Sequence, residues 1–156
     1  MLYIVLGSIT ALLCGFDLWC KWWVEENIRK GENREICKKK LVLRKVHNKG
    51  LVMNHGDKKP ELIRIISAIV CVFVAVFAMF TWKDSRSWLK RVGMVFTLAG
   101  AISNTYDRLK RKYVVDYFSF KTKSEKFNKV TFNLADMFIF IGAVCVVLGE
   151  LFGKDN

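Results

Sequence analysis

Ile65–Phe80, which reads IISAIVCVFVAVFAMF, is sixteen residues without a charge in a 156-residue chain that carries 26 Lys and Arg and 14 Asp and Glu. Met1–Phe16 is a second uncharged block of sixteen, and Val92–Tyr106 a third of fifteen. A soluble protein with 53% apolar residues would spread its charges along the chain; here greasy blocks alternate with basic connections, the membrane pattern. A helix crosses a bilayer in roughly 20 residues at about 1.5 Å per residue. The blocks extend to four predicted spans, at about residues 2–23, 62–82, 88–106 and 132–152, with a surface loop over residues 24–61. Trp22, Trp23, Trp82 and Trp88 fall at their ends, where indole rings favour the interface. No composition break divides the chain, so a single domain over residues 1–156 is expected.

The formal charge of +12 does not point to nucleic acid. The basic residues lie between apolar blocks, where anionic headgroups are the nearer partner, each Lys or Arg contributing on the order of 1 kcal/mol. Membrane lipid is therefore the expected partner. Cys14, Cys20, Cys37, Cys71 and Cys145 form no C-x-x-C pair, and an odd number argues against a disulfide framework. His47 and His55 lack thiol or carboxylate neighbours at ligand spacing, so neither zinc nor another metal is expected. Met1–Phe16 has no basic n-region and no small-x-small site after it, and Leu13 is too bulky for a lipobox ending at Cys14. The first block is expected to stay as a helix.

In the surface loop, Leu41-Val42-Leu43 and Lys45-Val46-His47 alternate as short strands do. Asn48-Lys49-Gly50 and Asn54-His55-Gly56 are turn signals. A small sheet on the membrane surface follows.

The second span reads as plain lipid-facing helix; the other three carry polar residues. Asp17 and Lys21 are i,i+4; Asn104, Asp107 and Arg108 share a face; Asn133 and Asp136 are i,i+3. An ionised carboxylate at mid-bilayer costs at least about 2.5 kcal/mol, so such residues face protein or water and mark a site. For Asp17 and Lys21 a local charge pair at the interface is the simpler reading, since acid before base is the favourable order. Asp136 has no cation within helical reach and needs a proton or a polar partner. Asp116 lies just past the third span, where alone it could be an ordinary loop aspartate. If it meets Asp136, the two carboxylates do not both ionise easily, and the site holds an acid and a base together. Such a pair activates water and protonates a departing amide, with neither metal nor covalent intermediate.

The stretches Gly100-Ala101-Ile102-Ser103-Asn104-Thr105-Tyr106-Asp107-Arg108, Val114-Val115-Asp116-Tyr117 and Phe132-Asn133-Leu134-Ala135-Asp136 resemble three consecutive signatures of the lipoprotein signal peptidases (signal peptidase II). Asp17 to Lys21 is similar to the D-x-x-x-K of that family's first helix, and Asn48-Lys49-Gly50 to the start of its N-x-G motif. The resemblance implies a membrane α-helical fold of four transmembrane helices with a small extracytoplasmic β-cradle between the first two. It implies an aspartyl endopeptidase, a hydrolase that cuts the signal peptide from diacylglyceryl-modified prolipoproteins just before the lipidated cysteine. The family is the target of globomycin. Carried over, Asp116 and Asp136 are the catalytic pair. Asn48, Asn104, Arg108 and Asn133 bind substrate or orient the carboxylates, and Asp17, Lys21, Gly50, Gly100 and Asp107 give structural support. No cofactor is implied, the partner is the lipidated prolipoprotein, and a monomer is expected, in the bacterial inner (cytoplasmic) membrane with its site at the outer face.

Three departures stand out. Lys112 occupies a glycine position, at a turn that favours φ > 0. Leu51-Val52-Met53 replaces a small-small-aromatic run, which predicts an altered groove near Gly50 to Met53, and Tyr117 replaces phenylalanine. They keep open a silent relative that binds lipopeptides or a partner protein in the same groove, and buried carboxylates also suit a small transporter or proton relay. Charge counting conflicts with the outward-facing orientation: residues 29–59 hold eleven Lys and Arg, and the positive-inside rule would put them in the cytoplasm.

Overall fold

The computed structural model describes residues 1–38, 40–50, 59–84 and 87–152, so the Leu51-Val52-Met53 departure and the Asn54-His55-Gly56 turn lie outside the described residues. The element order is α1 (Leu2–Asn27), β1 (Asn33–Ile36), β2 (Leu41–Asn48), α2 (Pro60–Asp84), α3 (Trp88–Lys110), β3 (Val114–Phe120), α4 (Glu125–Asn128) and α5 (Leu134–Phe152).

Among the described residues, α1, α2 and α5 are long and apolar enough to cross a membrane. Helix α3 is not, because Lys90, Arg91, Asn104, Asp107, Arg108 and Lys110 dilute its apolar content. It sits at the centre, touching α1, α2 and α5, and Ser103, Asn104, Thr105 and Asp107 are buried there with Met94, Val95 and Leu98. Its closest neighbour is α5. A Cβ on Gly93 would lie 2.8 Å from the Gly142 carbonyl oxygen, and one on Gly100 would run into that of Ala135. Small residues let helix backbones approach where lipid gives no hydrophobic drive to associate.

Helix α1 continues four residues beyond the predicted boundary because Val24 and Ile28, one turn apart, bury themselves against Val115 and Tyr117. Helix α5 starts later than predicted because Phe132 bridges to Phe118 of β3. Trp22, Trp23 and Trp88 are exposed as expected of interface residues. Trp82 corrects the reading: its ring is buried with Leu6, Ala78 and Leu98, and its Nε1 donates to the Arg91 carbonyl at 3.2 Å.

The sheet has the order β1-β2-β3, antiparallel throughout. The two short alternating runs are one strand, β2, with an irregularity between Leu43 and Val46. The third strand comes from beyond α3 and not from the loop between the first two spans. It carries Asp116, which is therefore a strand residue, not a loop aspartate. No alternation marks β3 in the sequence, because Val114, Val115, Asp116 and Tyr117 are all buried.

Lys112, in the turn into β3, has φ +68°. Replacing it with glycine removes the Cβ clash of the left-handed region, and Lys112→Gly is expected to stabilise the protein by about 1 kcal/mol, net of glycine's extra chain entropy. Thermal denaturation in detergent reads this, and a lower midpoint would contradict it.

Candidate active site

Asn133 starts α5. Its Oδ1 accepts from the Asp136 N–H at 2.9 Å, and Asp136 Oδ2 accepts from the Asn133 N–H at 3.0 Å. This reciprocal capping satisfies two donors that a helix start leaves open. The Asn133 Nδ2 has a second use: it donates to Asp116 Oδ1 on β3 at 2.7 Å. One side chain thus bonds both aspartates.

Each carboxylate has a further amide partner. Asn48 Nδ2, at the end of β2, donates to Asp116 Oδ2 at 3.0 Å, while its Oδ1 accepts from the Gly50 N–H at 3.0 Å. Asn104 Nδ2, on α3, donates to Asp136 Oδ1 at 3.0 Å. Arg108, one turn on, donates to the Gly50 carbonyl at 3.2 Å. Its Nε is buried without a hydrogen-bond partner among the described residues. Its charge lies within reach of Asp116 and Asp136.

Below the aspartates is a second polar cluster. Lys21 and Asp17 are fully buried and 2.8 Å apart. Lys21 Nζ also donates to Ser103 Oγ at 3.0 Å and to Asn104 Oδ1 at 2.9 Å, and lies 3.3 Å from Asp107. Asp17 accepts from Ser103 Oγ at 2.5 Å and from the Tyr117 hydroxyl at 3.0 Å, and that hydroxyl accepts from the Leu134 N–H at 3.0 Å. Asp107 accepts from the Val115 N–H at 3.1 Å. The pair is therefore not a local interface ion pair but the centre of a buried network joining α1, α3, β3 and α5. Asn104 links the two clusters, holding Lys21 with its oxygen and Asp136 with its nitrogen.

The site residues implied by the resemblance all meet here, except that Gly100 acts a turn away by letting α5 approach. Ser103 and Tyr117 were not recognised as network members. Ser103 shares a helical face with Asn104 and Asp107, a spacing that was there to be read. The Tyr117 hydroxyl points into the interior, so this departure does not reshape the groove. His47 bonds Glu25 at 2.8 Å and stacks on Tyr113.

Burial pushes the Asp116 carboxyl up to about 7, and the charge of Asp136 adds to the rise. The bonds from Asn48 and Asn133 and the more distant charge of Lys21 oppose it. An acid and a base can therefore coexist here near neutrality. A cavity of about 380 Å³ opens beside Asp116, between β2 and the α4 connection.

Residues 9–152 match the family model described as Signal peptidase (SPase) II. The lipoprotein signal peptidase of Enterococcus faecalis is 33% identical over 94% of this chain and 88% of its own length. That of Latilactobacillus sakei is 33% identical over 97% and 94%, and that of Bartonella tribocorum 31% identical over 97% and 87%. A solved bacterial membrane enzyme superposes with a TM-score of 0.82 at 19% identity, covering 97% of this chain and 93% of that one. A match over nearly the whole chain, on a fold shared with that enzyme, means that this chain belongs to the signal peptidase II family, the globomycin-sensitive membrane peptidases that remove signal peptides from prolipoproteins.

Proposed function

We propose that Asp116 and Asp136 are the catalytic dyad of a membrane aspartyl endopeptidase that cuts diacylglyceryl-modified prolipoproteins just before the lipidated cysteine. The single observation that carries this reading is that Asn133 bonds both carboxylates at once. The ionised carboxylate takes a proton from water as it attacks the scissile carbonyl, and the protonated one gives its proton to the departing nitrogen. Asn48, Asn104 and Asn133 have their amide donors committed to the carboxylates and so orient them. Arg108, with Nε unengaged, is the donor left for a substrate carbonyl. Asp17, Lys21 and Asp107 hold α1, α3 and β3 together beneath. Every group is supplied by one chain, so the enzyme works as a monomer and residues 1–156 act as one domain.

The test is cleavage of a lipidated prolipoprotein by the purified protein in detergent, read by product mass and by inhibition with globomycin. No cut at the cysteine would refute the reading. The pH profile is a second check. Asp116 keeps its proton below about 7 and loses it above, so kcat/KM should hold to about pH 7 and then fall about tenfold per unit, one proton being lost. The fold moves in the same sense: the folded state binds a proton that the unfolded chain releases, so stability declines from about pH 4 to about pH 7 and then levels off. A rate still rising at pH 9 would contradict the assignment.

Helix α3 is read as the fourth span. Its 23 residues reach about 34 Å at 1.5 Å each, its polar side chains face α1 and α5, and Lys90 and Lys110 stand near its two ends. The sheet is assigned to the outer face of the bacterial cytoplasmic membrane. Part of the loop's basic charge is offset there, Lys45 pairing with Glu25 and Arg34 with Glu32. A folded, partly neutralised element is a poorer retention signal than its lysine count suggests. Cys37 is free and exposed beside β1. A membrane-impermeant maleimide should label it in intact spheroplasts, with Cys37→Ser as control; labelling only after lysis would reverse the orientation.

A further inference from the structure

Val46 and Asn48 share a face of β2, Arg44 stands at the irregularity between Leu43 and Val46, and all three line the cavity beside Asp116. The opposite wall is Lys126, Lys129, Val130 and Thr131. Three cations thus surround a space whose one acidic lining residue, among the described residues, is Asp116. None of the three is in an ion pair among the described residues. Arg44 donates to the Asn128 carbonyl at 3.2 Å, while its Nε is buried without a hydrogen-bond partner among the described residues.

The cavity has a direction. Asn48 pairs with Val114, where β3 leaves the helices, and Leu41 pairs with Phe120 at the far end. From Asn48 towards Arg44, β2 therefore runs away from the bundle. An apolar signal segment belongs among the helices, so the chain beyond the cut leaves along the sheet. At about 3.3 Å per residue, less at the irregularity, Arg44 stands no more than about 13 Å beyond Asn48, a distance an extended peptide covers in about four residues.

We infer that this cavity receives acidic side chains from the first few residues that follow the lipidated cysteine, making it a specificity site for the mature end of the substrate. The inference rests on the peptidase reading above and adds a substrate preference to it. The occupant is peptide because the cavity continues the line of the scissile chain and shares Asn48 and Asp116 with the dyad. Unpaired cations in a recess complement carboxylates and discriminate against neutral isosteres.

The experiment uses the full-length protein in vesicles and two lipidated prolipoproteins that differ only in the second to fourth residues after the cysteine, all Asp or all Asn. The Asp substrate should be preferred about tenfold in kcat/KM, the difference lying in KM, and the preference should shrink at about 0.5 M salt as screening sets in. In Arg44→Gln, Lys126→Gln, Lys129→Gln the ratio should drop to about one. In Lys126→Gln, Lys129→Gln, changed only at exposed positions, it should be intermediate, which keeps the test informative if the triple variant folds poorly. Equal cleavage of both substrates by the wild type, or a ratio undiminished in the variants, overturns the inference and leaves the peptidase intact. Equal ratios with rates that track the anionic phospholipid content would give the cavity to a lipid headgroup and likewise overturn it. Cleavage of neither substrate overturns this inference together with the peptidase reading.

Discussion

Asp116→Asn and Asp136→Asn are each expected to lower prolipoprotein turnover by a factor of about 10³ or more while leaving the helices assembled. A positioned acid or base contributes about 10²–10⁴, and in a shared-proton pair either substitution removes both roles at once. Asparagine is isosteric, so the packing around each position survives. At position 116, however, the carboxylate accepts from both Asn48 and Asn133, and an amide offers one oxygen where two were used. One neighbouring donor then loses its partner, at about 1 kcal/mol, too little to unfold the chain. Thermal midpoints lowered by no more than about 4 °C, with turnover lost, are the expected pair of readings. Turnover kept within tenfold in either variant would remove that residue from the dyad.

Lys21→Met should act through stability. Lys21 is fully buried between Asp17 and Asp107 and also holds Ser103 and Asn104. Removing one partner of a buried ion pair leaves an uncompensated charge and costs about 3–5 kcal/mol, whereas the intact pair need not stabilise the fold. Asp107 keeps Arg111 at 3.2 Å, so Asp17 is the stranded carboxylate and the loss should fall at the lower end. Asp17→Asn in the same chain should recover part of it, because that stranded charge goes. Unfolding in detergent, or yield from membranes, measures this. An unchanged midpoint for Lys21→Met would mean that the network is wetter than its burial implies.

The three apolar helices α1, α2 and α5 were legible because uncharged runs have few physical solutions. The polar face of α3 was legible because Asn104, Asp107 and Arg108 recur at helical spacing. What was hidden depends on contacts between distant segments. Asp17 and Lys21 look alike in sequence whether they snorkel or anchor a core; only the approach of α3 decides. Strand β3 is covered on both faces and so lacks the alternation that reveals a strand. Trp82 has the interface composition expected of a span end, but the Arg91 carbonyl supplies a partner inside. Charge counting takes no account of pairs such as Glu25 with Lys45, which form only once the chain has folded.

Asn133 begins a helix and touches both aspartates with the same three polar groups. A variant that changes this side chain to escape an inhibitor loses the side-chain cap of α5 along with the bond that holds Asp116. A compound fitted to the carboxylate geometry that Asn133 sets would therefore meet a target with little freedom to drift.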